Sequence, residues 1–144
     1  MQNTKFVSSS QITRNWFLID ASDKRVGVLA SKITSFLIGK GKPQYSSNLN
    51  FADNVVVLNA GKVEIHDRKK NSKVYTRYSG YPGGLKKITY DKMMERNPKY
   101  IIEHAVFGML PKNKRGEEMK KYLHVFVDDK HNLNKNIKFT EIKW

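Results

Sequence analysis

The sequence contains no cysteine, so its 144 residues can form neither a disulfide bond nor a thiolate metal site. It has no apolar run of about 18 residues or more, which a membrane-spanning helix requires. Its first residues, MQNTKFVSSSQITRN, lack the apolar segment of a secretory signal. We therefore expect one domain whose core forms without crosslinks in a reducing compartment.

The sequence motifs of common phosphate-binding and hydrolytic enzymes are also missing. GKGK at residues 39–42 has no Ser or Thr after its last lysine, so it is not a P-loop. GYPGG at residues 80–84 is not a dinucleotide-binding GxGxxG, and no GxSxG nucleophile motif occurs. We expect no enzymatic activity, no cofactor, no metal and no small-molecule substrate.

One cluster keeps an enzymatic alternative open. Asp128, Asp129 and His131 fall in one predicted turn, where they could imitate the metal site of a nuclease. A solvated turn at the end of a strand explains the same residues more simply, and we favour it.

Acidic residues are scarce, and this is the strongest signal in the composition. The chain has 27 Lys and Arg against 13 Asp and Glu, a net charge of +14. Residues 61–144 hold 20 of the basic and 10 of the acidic residues, so they contribute +10 of that charge. Such an excess destabilises a compact chain by repulsion, and a polyanion such as nucleic acid is its usual partner.

Two apolar runs, NWFLIDA at residues 15–21 and NVVVLNA at residues 54–60, predict buried strands. The second run is continuous rather than alternating, as in strands covered on both faces. Apolar residues between the runs recur at helical spacing and predict a helix with Ser22 and Asp23 as its cap and Gly39 as its end. This order favours a parallel sheet.

The second half of the chain contains weaker signals. VYTRYS and YLHVFV, at residues 74–79 and 122–127, predict two more strands, and DRKKNSK, at residues 67–73, predicts a basic loop. Helices are predicted at residues 89–97, 98–110 and 116–123.

These elements predict an α/β fold with a sheet of about four strands. We expect an extended N-terminal arm at residues 1–14, a single α/β domain at residues 15–132 and a C-terminal tail at residues 133–144.

Basic residues cluster in segments that also contain glycine, proline or asparagine, most clearly SGYPGGLKK at residues 79–87 and GMLPKNKRG at residues 108–116. Glycine lets a backbone N–H approach a phosphate closely, and a neighbouring lysine neutralises the charge. Tyr75, Tyr78 and Tyr81 lie near one segment and could stack on bases or riboses. A single lysine is often just a solvated charge, but four such segments together favour folded RNA over sequence-specific DNA.

Several motifs resemble the bacterial-type large-subunit ribosomal protein thirteen family. They are, in order, NWFLIDASDKRVGVLAS, GKGKPQY, DNVVVLNAGKV, KVYTRYSGYPGGLK, AVFGMLPKN and LHVFVDDKH, and together they cover roughly residues 14–132. The resemblance implies a three-layer α/β/α fold around a four-stranded, mostly parallel sheet. It also implies binding to large-subunit rRNA beside neighbouring ribosomal proteins, an early part in subunit assembly, and no catalysis.

The chain departs from the family pattern at a few positions. Val28 stands where the family has an arginine, and Asp67 places a carboxylate beside a basic segment. Glu117 follows Arg115 and Gly116 where the family has LGR, so it adds a negative charge near an expected RNA contact.

The loops and the resemblance together give one set of predicted RNA-binding residues. They are Lys40, Lys42, Arg68, Lys69, Lys70, Lys73, Tyr75, Tyr81, Gly83, Gly84, Lys86, Lys87, Lys112, Lys114, Arg115 and His131. We expect the protein to lie in cytoplasmic ribosomes. The sequence fits ribosomes of an organelle matrix equally well. The alternative non-enzymatic function is the binding and regulation of messenger RNA outside the ribosome.

Overall fold

The computed structural model describes residues 8, 11–133 and 137–142. Six strands and five helices follow one another along these residues. In chain order they are β1 (Trp16–Asp20), α1 (Val26–Ile38), β2 (Asn54–Leu58), α2 (Asp67–Lys70), β3 (Val74–Tyr78), β4 (Leu85–Thr89), α3 (Tyr90–Arg96), α4 (Pro98–Met109), α5 (Lys114–Lys120), β5 (Leu123–Val125) and β6 (Phe139–Glu141).

The main sheet has four strands in the order β5-β2-β1-β6, and all its pairings are parallel. Consecutive residues Val55, Val56 and Val57 of β2 are all fully buried. Because successive side chains of a strand point to opposite faces, both faces of the sheet are covered. The fold is therefore the expected three-layer α/β/α arrangement around a four-stranded sheet.

The predicted sheet contained β3, and the observed sheet contains β6 in its place. β3 does not join the main sheet but pairs with β4 in a separate antiparallel hairpin. Only Tyr75 of β3 is buried, so the strand lacks the apolar residues needed for a position inside a covered parallel sheet. The fourth strand is β6 instead, which pairs with β1 and lies within residues 133–144, the predicted C-terminal tail.

The first helix ends as predicted but begins differently. Gly39 has φ of 77° and closes α1, with its N–H donating to the carbonyls of Ser35 and Phe36. The N-cap is Arg25 rather than Ser22 or Asp23. The backbone N–H of Ser22 instead donates to Asp20 Oδ1 at 3.0 Å, which holds residues 20–22 in a turn before the helix starts.

Local capping also corrects two boundaries in the second half. The predicted loop at residues 67–73 contains the short helix α2, whose first turn is capped by His66 Nδ1 accepting from the N–H of Arg68. α5 begins at Lys114 rather than Gly116, because the side chain of Asn113 accepts from the N–H of Gly116 at 2.8 Å.

The core is built mainly from α1, α4 and the first two strands. Ile19, Leu29, Ile33, Val55 and Ile102 are fully buried in it. A second, smaller cluster packs the hairpin onto α3 and α4. Across the described residues, every helix falls short of the length and apolar character that crossing a bilayer would require.

Candidate nucleic-acid interface

The α2 segment carries the densest group of exposed cations. Arg68, Lys69 and Lys70 all lie in one short helical turn, and Lys73 follows just before β3. The N–H of Lys73 donates to the carbonyl of Lys69 at 2.8 Å, which closes the segment on itself. A sequence predicted as an open loop is therefore an ordered, positively charged turn.

The hairpin places its basic residues on two paired strands. Arg77 lies opposite Lys86, and Thr76 lies opposite Lys87. All three cations are exposed. Arg77 and Lys86 are cross-strand neighbours on one face of the hairpin, and Lys87 lies on the opposite face.

Glycines shape the turn between the two strands. Gly80 and Gly83 have φ of 90° and 72°, conformations that other residues rarely adopt. At Gly84 a Cβ would lie 2.9 Å from the backbone carbonyl oxygen of Tyr81 and would also overlap the Ser79 side chain, so that position also favours glycine. The turn presents Tyr81, which is 76% exposed, at its tip. Tyr78 and Tyr81 are thus available for stacking.

Tyr75, in contrast, lies inside the protein. Its side chain is only 6% exposed and packs edge-on against Tyr100 and His104. Burial raises the pKa of Tyr75 to about 12, and the neighbouring Tyr90 and Tyr100 contribute to the shift. Tyr75 is thus not one of the exposed rings of the hairpin, because its ring supports the hairpin from beneath.

The segment after α1 separates two lysines of the GKGK motif. Lys40 is exposed. Lys42 Nζ forms an ion pair with Asp53 at 2.7 Å and also donates to the carbonyls of Thr13 and Phe51. An ammonium group has three protons, so Lys42 has none left for a phosphate. The structure places Lys42 in the scaffold and leaves Lys40 as the candidate contact.

The segment between α4 and α5 presents Lys112, Lys114 and Arg115. Lys112 and Lys114 are exposed, and Arg115 is half-buried. Gly116 is buried, and a Cβ there would overlap the carbonyl of Pro111. Gly116 is thus needed for close packing behind the cations. Glu117 pairs with Lys120 at 2.6 Å, so its charge is partly neutralised within α5.

The α2 segment and the hairpin are adjacent. α2 leads directly into β3, and the N–H of Tyr90, just after β4, donates to the carbonyl of Lys73. Separately, the side-chain amide of Asn50 donates to Glu118 of α5 at 3.4 Å.

Sequence analysis missed one member of this surface. Arg96 lies with Arg77 and Lys86 along a groove of about 280 Å³ between the hairpin and α3. Arg96 lies in the last turn of a predicted helix, close in sequence to the basic residues of the hairpin, and this was the available signal. The sequence did not reveal that β3 pairs with β4, so the position of Arg96 beside that hairpin could not be predicted.

His131 and the neighbouring aspartates occupy a different environment from the basic segments. The His131 ring lies 5.0 Å from that of Phe139 and 6.3 Å from that of Phe126. Its Nδ1 is buried and has no hydrogen-bond partner in the part of the chain that the structure describes. Asp128 and Asp129 are exposed. No group of three His, Cys, Asp or Glu residues among the described residues could hold a metal ion.

Comparison with known proteins identifies close relatives. The family model of ribosomal protein L13 matches residues 14–132. Large ribosomal subunit protein uL13 of Caldanaerobacter subterraneus subsp. tengcongensis is 48% identical over 128 residues, covering 88% of this chain and 90% of the relative. The uL13 proteins of Thermus thermophilus and Petrotoga mobilis are 47% and 46% identical, covering 84% and 90% of this chain and 86% and 89% of their own lengths.

The matched residues include β1, β2 and β5 of the main sheet, the hairpin and all four basic segments, so the similarity extends over the whole candidate interface. These matches confirm the resemblance seen in the sequence motifs. The chain belongs to the ribosomal protein L13 family.

Proposed function

We propose that the chain is a structural constituent of the large ribosomal subunit that binds large-subunit rRNA and supports early subunit assembly. Its membership of the ribosomal protein L13 family, and relatives named as large-subunit proteins, support this function. We further propose that it works without catalysis, beside neighbouring ribosomal proteins.

The observation that carries the proposal is that nearly all of the predicted cations lack an acidic partner within the described residues. Outside Lys42, none of them forms an ion pair within residues 8, 11–133 and 137–142. Their charges are therefore available to a partner, and the fold holds them on short, hydrogen-bonded segments. The set comprises Lys40, Arg68, Lys69, Lys70, Lys73, Lys86, Lys87, Lys112, Lys114 and Arg115.

This arrangement suits RNA for two physical reasons. Unpaired cations on ordered segments neutralise phosphates and release condensed counterions, with little loss of conformational entropy on binding. The tight turn at Gly83 and Gly84 brings backbone close to the ligand, and the exposed Tyr81 offers a ring for stacking. By joining segments of rRNA the protein would favour compact folding of that RNA.

The test replaces one exposed lysine in each basic segment. We predict that Lys40→Glu, Lys69→Glu, Lys86→Glu and Lys112→Glu together abolish co-sedimentation with large subunits, because each change adds repulsion to a lost phosphate contact. Circular dichroism should remain native, since all four side chains are exposed.

The matched control changes four exposed lysines elsewhere, Lys62, Lys92, Lys121 and Lys130, to glutamate. Both variants lower the net charge equally, so a difference between them reports on position rather than total charge. Retained co-sedimentation of the first variant would contradict the proposal. Wild-type protein that stays at the top of the gradient would instead favour a regulator acting outside the ribosome.

A further inference from the structure

A groove of about 610 Å³ runs between the start of α1, the α2 segment and α4. This volume lies within the usual range for small-ligand sites. Val26, Ile65 and Met109 contribute an apolar surface to it. We call it the α1–α4 groove. Lys69 and Lys73 of the predicted RNA-binding set line it, whereas Val26, Ile65 and Met109 do not belong to that set.

Every charged side chain that lines the groove is basic. Arg25, Lys69 and Lys73 lie along it, and no aspartate or glutamate does so among the described residues. None of the three cations forms an ion pair within that part of the chain. The groove therefore combines an apolar surface with uncompensated positive charge.

The backbone beneath these cations is fixed by hydrogen bonds. Arg25 forms a parallel bridge with Glu64, and the N–H of Val26 donates to the carbonyl of Glu64 at 2.9 Å. The N–H of Lys73 donates to the carbonyl of Lys69, and the carbonyl of Lys73 accepts from the N–H of Tyr90. The backbone that carries the three cations is thus ordered before any ligand arrives, which lowers the backbone entropy lost on binding.

The groove also has a polar group suited to the edge of a base. His66 lines it, and His66 Nδ1 accepts from the N–H of Arg68 at 3.3 Å. A neutral His66 ring therefore carries its proton on Nε2, which can act as a donor.

We propose that the α1–α4 groove receives a single unstacked nucleotide of the bound RNA, with its base against the apolar surface and its phosphates on Arg25, Lys69 and Lys73. This inference rests on the proposed rRNA binding and adds how one nucleotide is held. A nucleotide fits the groove because its flat base can lie against the apolar surface while its negatively charged phosphate contacts the cations. An apolar side chain of a partner protein would fill the same surface but leave the three cations uncompensated.

Gly27 offers a way to fill the groove without disturbing the core. It lies in the first turn of α1 and lines the groove, and a Cβ there would meet no atom within 4 Å. Gly27→Leu should therefore occupy the space of the base while favouring the helix. Ser35→Leu is the matched control, because Ser35 is an exposed, uncharged residue of the same helix and does not line the groove.

The experiment measures binding of the full-length protein to a large-subunit rRNA transcript and maps ultraviolet crosslinks to peptides by mass spectrometry. Wild type and Ser35→Leu should bind alike and crosslink through the peptide containing His104 and Met109. Gly27→Leu should lose that crosslink and bind roughly tenfold to a hundredfold more weakly, as expected when one base loses its contact surface.

Three results would overturn the inference. If wild type binds and Gly27→Leu binds equally well, the groove holds no nucleotide, although the proposed rRNA binding stands. If crosslinking of intact large subunits joins the groove peptide to another protein, the occupant is protein. If wild type fails to bind the transcript, the proposed function falls and the groove assignment falls with it.

Discussion

At the scale of single residues, Lys42 donates all of its ammonium protons within the protein. Its Nζ contacts Asp53, Thr13 and Phe51, and Asp53 Oδ1 also accepts from the N–H of Asn15. The side chains of Lys42 and Asp53 are only 19% and 5% exposed. This ion pair therefore ties together the chain segments that precede β1 and β2.

Loss of this lysine should cost stability rather than RNA affinity. Lys42→Met leaves Asp53 buried without its counter-charge, so we expect the free energy of unfolding to fall by about 2 kcal/mol. Lys40→Met is the matched control, and it should change that free energy by less than about 0.5 kcal/mol because Lys40 is exposed. Urea denaturation followed by circular dichroism measures both values. Equal stability of the two variants would show that the Lys42–Asp53 pair is not structural.

The sequence predicted the residues of the candidate site only where residue type alone determines whether a side chain is exposed. Most lysines and arginines in the basic segments lie at the surface, as composition implies. Lys42, Tyr75 and His131 carry the same kinds of signal, yet tertiary contacts draw each of them inward. No local pattern distinguishes Lys42 from Lys40, because the acid that binds Lys42 lies eleven residues away.

At the scale of elements, prediction succeeded where apolar residues were dense. β1, β2, α1 and α4 each contain residues that bury fully, so their periodicity indicated them directly. β6 has three residues and only Phe139 is partly buried, so it has no such pattern. β3 was recognised as a strand, but its partner β4, with two exposed lysines, reads as a loop. Pairing between strands is a tertiary property that local sequence does not specify.

An aromatic row crosses one face of the main sheet and gives β5 a pH-sensitive residue. The ring of His124 stacks on that of Trp16 at 5.6 Å, and Trp16 meets Phe139 of β6 edge-on at 6.1 Å. Burial lowers the pKa of His124 below its ordinary value of 6.5. The unfolded chain therefore binds a proton at this residue more readily than the folded chain does.

We predict that stability falls as the pH drops below about 6.5, because protonation of His124 favours the unfolded state there. His124→Phe keeps a ring against Trp16 and removes the titration, so the variant should lose less free energy of unfolding than wild type between pH 7 and pH 5.5. Urea denaturation at each pH measures the difference. His104→Phe serves as the control, and a wild-type profile unchanged by His124→Phe would assign the pH dependence to other groups.

At the scale of the whole molecule, charge and fold serve different ends. The apolar core and the four-stranded sheet hold the chain together in spite of a net charge of +14. That charge contributes nothing to the core, and most of the predicted cations have no acidic partner among the described residues. The core therefore forms from apolar residues, and the charge of the basic segments stays available to a polyanion.

The dependence of RNA affinity on salt should therefore be steep. With about eight to ten phosphate contacts, the logarithm of the binding constant for a large-subunit rRNA transcript should fall with the logarithm of salt concentration at a slope of roughly −6 to −9. Lys86→Gln should make the slope shallower by about one, because it removes one phosphate contact. Lys92→Gln, an exposed lysine on α3 outside the basic segments, should leave the slope unchanged. Filter binding over a series of potassium chloride concentrations measures all three slopes. Equal slopes for the two variants would mean that the hairpin lysine contacts no phosphate, and a slope near zero for wild type would mean that affinity does not come from the exposed cations.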